Sequence, residues 1–96
     1  MDITTILREK REEILKIAAS HGARNIRVFG SVARGEADES SDIDLLVDME
    51  ADRSLLDVAA LVADLRDVLG PRVNVVSEKG LYWLLRRRIL HEAKPL

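Results

Sequence analysis

An α/β fold, with helices laid over a small sheet, is what this sequence predicts, and three observations carry the prediction. Amphipathic stretches with helical spacing alternate with short apolar runs of strand length, in the order α-β-α-β-α-β-α. Turn-forming residues, among them Gly22, Gly35 and the Gly70-Pro71 pair, fall where successive elements would stop. The chain has 96 residues, 47% hydrophobic and 33% charged, which fits one small domain over residues 1–96 with one core.

The elements follow in order. From Ile3 to about Ser20, the residues Ile3, Ile6, Leu7, Ile14, Leu15, Ala18 and Ala19 recur near helical spacing, with charged residues mostly opposite. Gly22 stops that helix. A strand at about Asn25 to Phe29 turns at Gly30, and Ser31 is placed to cap a short helix through about Arg34, which Gly35 ends. The polar loop Glu36-Ala37-Asp38-Glu39-Ser40-Ser41 leads to a second strand, about Asp42 to Met49. Its residues Ile43, Leu45, Leu46 and Val47 mark it as central and largely buried. A long helix from Ser54 to Leu69 carries a broad apolar stripe that includes Leu55 and Leu56. Val73 to Val76 forms a third strand, and Ser77 caps a last helix from about Lys79 to Ala93.

Composition narrows the function classes. Phe29, Tyr82 and Trp83 are the three aromatic residues, so the core is built from Leu, Ile, Val and Ala. A formal charge of -2 supplies no broad basic field, which argues against direct nucleic-acid binding. Without cysteine there are neither disulfides nor thiolate zinc sites. The polar start and the lack of a long apolar run set the expectation of a soluble, cytoplasmic protein with no membrane association. A chain this small buries a limited share of its surface, which favours a partner subunit.

The chemistry lies in one stretch. Gly30-Ser31 is followed, after ten residues, by Asp42-Ile43-Asp44. Residues two apart on a strand project to one side, so Asp42 and Asp44 form a carboxylate pair. Such a pair repels itself unless a cation neutralises it, and hard oxygen donors suit Mg²⁺. The Gly30-Ser31 turn offers backbone N–H groups for phosphate oxygens. A phosphate cradle facing a magnesium-binding pair is equipment for nucleotidyl transfer. The same aspartates at an exposed strand edge would be ordinary polar positions, but apolar neighbours make an unpaired carboxylate costly there. Gly30-Ser31 taken alone would be only a capped turn.

This combination of Gly-Ser, ten-residue spacing and Asp-x-Asp on a strand resembles the polymerase-beta-like nucleotidyltransferase superfamily. The length, the element order, Ala33-Arg34-Gly35 and the Glu92-Ala93…Pro95-Leu96 ending resemble its minimal nucleotidyltransferase (MNT) domain proteins over essentially the whole chain. The resemblance implies a small mixed sheet flanked by helices. It also implies an antitoxin of a HEPN/MNT toxin–antitoxin pair, a hetero-oligomer with a HEPN ribonuclease toxin, transferring AMP from ATP to a toxin tyrosine. The superfamily's site implies two Mg²⁺ ions held by three acids. Asp42 and Asp44 match the first two, and Asn74 stands at the third. An amide oxygen ligates weakly and cannot act as a base, so the expectation is nucleotide and one metal bound, with transfer slow or absent. Binding-only neutralisation of the toxin is the alternative. A small-molecule or RNA-end acceptor is the third reading, disfavoured because the chain is too short for its own substrate domain.

Other residues have plainer readings. Arg34 either reaches the triphosphate or pairs with Glu36 or Asp38. Asp48 shares a strand face with Asp44 but lies ~13 Å along, and reads as a solvated strand end. Arg86-Arg87-Arg88 spreads around a helix and reads as solvated, with an acidic partner as the sharper alternative. His21 and His91 read as surface residues. Of Tyr82 and Trp83, one is expected to face the core, and Trp83 is a candidate for partner contact.

Overall fold

The structure is a computed structural model that describes residues 2–38 and 40–96. Helix α1 (Ile3–Glu9) is capped by Asp2, whose carboxylate accepts from the Thr5 N–H at 2.8 Å. Helix α2 (Arg11–Ser20) follows after a break at Lys10. The sequence predicts one helix here, and Lys10 and Arg11 interrupt it where the apolar stripe from Leu7 would continue; Leu7 and Ile14, on either side of the break, are both buried.

Strand β1 (Ala23–Phe29) leads through the short helix α3 (Gly30–Ala33) to strand β2 (Ile43–Met49). Helix α3 begins at Gly30, with Phe29 as its flanking residue, so Ser31 lies inside it and does not cap it. Glu39 of the acidic loop lies outside the described residues. Helix α4 (Leu55–Leu69) opens with a reciprocal cap in which Ser54 accepts from the Leu56 N–H and Asp57 accepts from the Ser54 N–H. Strand β3 (Val73–Ser77) is followed by a 3₁₀ turn (Glu78–Gly80), helix α5 (Trp83–Glu92) and a two-residue strand β4 (Lys94–Pro95) that the sequence reading lacks. Ser77 makes no side-chain cap.

The sheet is mixed, in the order β3-β2-β1-β4. Strand β2 is central, antiparallel to β1 and parallel to β3, and β4 closes the far edge against β1. Ile43, Leu45 and Val47 point to one face, where they pack with Leu7, Ile14, Ala18, Leu61 and Leu65. Leu46, on the opposite face, is also fully buried, which matches the continuous apolar run of a strand covered on both sides.

Several surface readings change. Leu55 and Leu56 are 86% and 81% exposed, so the buried stripe of α4 reduces to Leu61 and Leu65. Tyr82 and Trp83 are both exposed, following a 3₁₀ turn that delays α5, and Leu81 before them is half-buried. His21 is partly buried against Asp64 of α4 at 2.6 Å, joining α2 to α4. Asp48 is held by Arg27 at 2.7 Å and by Asn25 at 3.0 Å. A register shift between Arg24 and Arg27, with Asn25 in the left-handed region at φ 53°, accompanies this local rearrangement. Arg27 also reaches Glu78, which in turn holds Arg86.

Candidate active site

Pairing in the sheet sets the positions of the key side chains. Asp44 sits near the start of β2, with Phe29 opposite it on β1 and Asn74 opposite it on β3. Asp42 precedes the strand, which begins one residue later than the sequence predicts. The Asn74 Nδ2 donates to Asp42 Oδ2 and to Asp44 Oδ1, at 3.3 Å each. Asp42, Asp44 and Asn74 therefore form one cluster at the amino-terminal ends of two parallel strands.

The bend after β1 abuts this cluster. Gly30 has φ +72°, and a Cβ built on it would collide with Asp44 Oδ2 and lie 3.3 Å from Asp44 Cγ. Only glycine allows the bend to approach the carboxylate so closely. Ser31 follows directly and is half-buried. The Gly30 N–H is already engaged, donating to Glu92 Oε1 at 2.7 Å, because α5 returns its last residue to the bend. What Gly30 contributes is close approach of the bend to Asp44.

Arg34 donates to Glu36 through Nε at 3.1 Å, and to Glu92 through Nη1 at 3.2 and 3.3 Å. These two carboxylates, Glu36 first, hold its guanidinium more firmly protonated than usual. Asp38, the other predicted partner, is instead bonded within its own loop by Ser40 and Ser41. Glu92 is the site residue whose role sequence reading missed. Its signal was an acid closing a helix otherwise rich in arginine.

Partial burial raises the Asp44 carboxyl above its ordinary range; the Asn74 hydrogen bond opposes this, and the Asp42 charge adds to it. The ionised form is thus disfavoured in the folded chain at neutral pH, and the penalty fades as pH falls through the raised pKa. Asp44→Asn is therefore expected to raise the melting temperature slightly at pH 7, with the gain shrinking in acid. Thermal scans across pH check this; a lower melting temperature at pH 7 would contradict it.

The donor chemistry fits magnesium. Two carboxylates converge within reach of one amide donor, and all offer hard oxygens. Among the described residues, no three Asp, Glu, His or Cys side chains gather into a metal-sized group. The cluster thus holds two carboxylates, with an amide in place of a third acid.

This sheet, with its carboxylate pair set against a glycine bend, defines a polymerase-beta-like nucleotidyltransferase. Residues 7–96 match the family model described as a nucleotidyltransferase domain, and the chain belongs to that family, among its minimal nucleotidyltransferases. A solved structure assigned to the minimal nucleotidyltransferases is 56% identical with a TM-score of 0.87, the match covering 100% of this chain and 97% of that one. The protein adenylyltransferase MntA of Thermococcus cleftensis is 42% identical over 89 residues, covering 84% of this chain and 90% of the relative. A toxin–antitoxin complex solved with AMP-PNP shares the fold at 22% identity and a TM-score of 0.75, over 88% of this chain and 69% of that one.

Proposed function

We propose that this chain is the antitoxin of a toxin–antitoxin pair, transferring AMP from ATP to a tyrosine of a HEPN-type ribonuclease toxin, at a rate reduced by Asn74. The observation that carries the reading is the Asp42–Asp44 pair, gathered by Asn74 and pressed against the Gly30 bend. Relatives named as protein adenylyltransferases support the reaction class. The toxin–antitoxin complexes among the fold's relatives support a partner toxin, as do the exposed Tyr82, Trp83, Leu84 and Leu85.

In this reading Ser31 and Arg34 receive the triphosphate, and Gly30 lets it lie beside Asp44. Asp42 and Asp44 would hold Mg²⁺, which supplies charge neutralisation at the phosphate and lowers the pKa of the attacking hydroxyl. Asn74 binds neither proton nor cation strongly, so no side chain at that position takes the tyrosine proton. The acceptor oxygen comes from the partner toxin, in keeping with the relatives named as protein adenylyltransferases.

Asn74 also favours a second reading, that of a binding-only antitoxin. Its amide donates to both carboxylates and supplies no third acid. Intact-mass measurement of the co-purified toxin, incubated with ATP and magnesium, separates the two. Slow gain of one AMP by the toxin, lost with Asp42→Asn, is the expected result. An unmodified toxin at all times, still neutralised in the complex, would overturn transfer and leave binding alone.

A further inference from the structure

We infer that Glu92 is a positioning residue of the nucleotide site, a strap from α5 that fixes the Gly30 bend and aims Arg34; this rests on the nucleotide-transfer reading. The carboxylate makes both contacts at once, to the Gly30 N–H at 2.7 Å and to Arg34 Nη1 at 3.2 Å. Its partners lie 62 and 58 residues away in sequence, so local chain geometry does not account for the contacts. Its side chain is 19% exposed, the more sheltered member of the pair with Arg34.

The placement runs against the helix that carries it. Glu92 is the last residue of α5, where the helix dipole disfavours an anion and where lysine or arginine would suit better. No residue of α5 is buried, so the helix gains little from packing in exchange. What the acid gains is the bend. Gly30 is held between two carboxylates, Asp44 on its Cα side and Glu92 on its N–H. A shift of the Gly30 peptide would therefore move Asp44 and Ser31 together, and releasing Arg34 from Glu92 would leave it bound by Glu36 alone, turned away along its own loop. The loss of such supporting contacts typically costs tenfold or more in ligand binding.

The test is calorimetric titration of the full chain with magnesium and a non-hydrolysable ATP analogue, with melting temperatures recorded alongside. Glu92→Ala is expected to weaken binding about tenfold, and Glu92→Asp, which keeps the charge but retracts it, by a similar factor. Glu92→Gln retains an acceptor for the Gly30 N–H and is expected to stay within about threefold of wild type. Wild-type affinity in both Glu92→Ala and Glu92→Asp, with only a lower melting temperature, would reduce Glu92 to an anchor of α5 and overturn the inference. Tighter binding in Glu92→Ala and Glu92→Gln alike would show a carboxylate that merely repels phosphate, and overturn it too. Should Glu92→Ala not fold, Glu92→Asp and Glu92→Gln decide between the same outcomes. A wild-type chain that binds no nucleotide removes the transfer reading and this inference together, whereas wild-type binding that these variants leave unchanged removes the inference alone.

Discussion

Asn74→Asp is expected to accelerate AMP transfer to the partner by about 10²–10⁴-fold, the usual contribution of a positioned general base. The position is prepared for the change. Asn74 lies directly opposite Asp44 on a parallel strand and is exposed, so a carboxylate of nearly the same size enters without repacking the core. It would exchange a neutral donor for an acceptor able to take the tyrosine proton and to complete the ligand set for a second cation. The change removes the hydrogen bonds that now join Asp42 and Asp44, leaving three like charges close together. Folding of the variant without cation is therefore expected to weaken, while transfer with magnesium rises. Time-resolved intact-mass spectra of the toxin measure the rate. An unchanged rate would show that position 74 takes no part in the reaction.

Gly30→Ala is expected to damage both folding and transfer. Alanine at φ +72° is strained, and its Cβ would meet the Asp44 carboxylate. Together these cost about 2–4 kcal/mol, and the melting temperature is expected to fall by on the order of 10 °C. Relief of the collision requires either Asp44 to rotate or the bend to withdraw, and either shift separates the groups proposed to hold metal and phosphate. A displacement of ~1 Å at a reacting centre costs about 10²-fold in rate. Melting scans and single-turnover transfer by the folded variant test this. A wild-type rate would show that the bend and Asp44 work independently.

Much of the site was legible because its signals are local. Gly30-Ser31 and Asp42-x-Asp44 lie within one stretch of sequence, and strand alternation alone puts the two carboxylates on one side. The central place of β2 was readable from the apolar run Ile43, Leu45, Leu46 and Val47. What was not legible depends on contacts between distant residues. An acid closing an arginine-rich helix sets Glu92 apart but does not identify Gly30 as its partner, since the return of α5 and the pairing of β4 with β1 bring the two together. Asp48 read as solvated because Arg27 reaches it only once the β1 register shifts. The exposure of Leu55 and Leu56 was hidden for a related reason. Helical spacing identifies an apolar face but not how far along the helix the core extends.

The amide of Asn74 acts as a neutral clasp. By donating one hydrogen to each of two acids, it joins them without a cation, so chelators are expected to leave the fold untouched. A variant with an acid there would lose this self-sufficiency, and is expected to depend on ambient magnesium for its integrity as well as its activity.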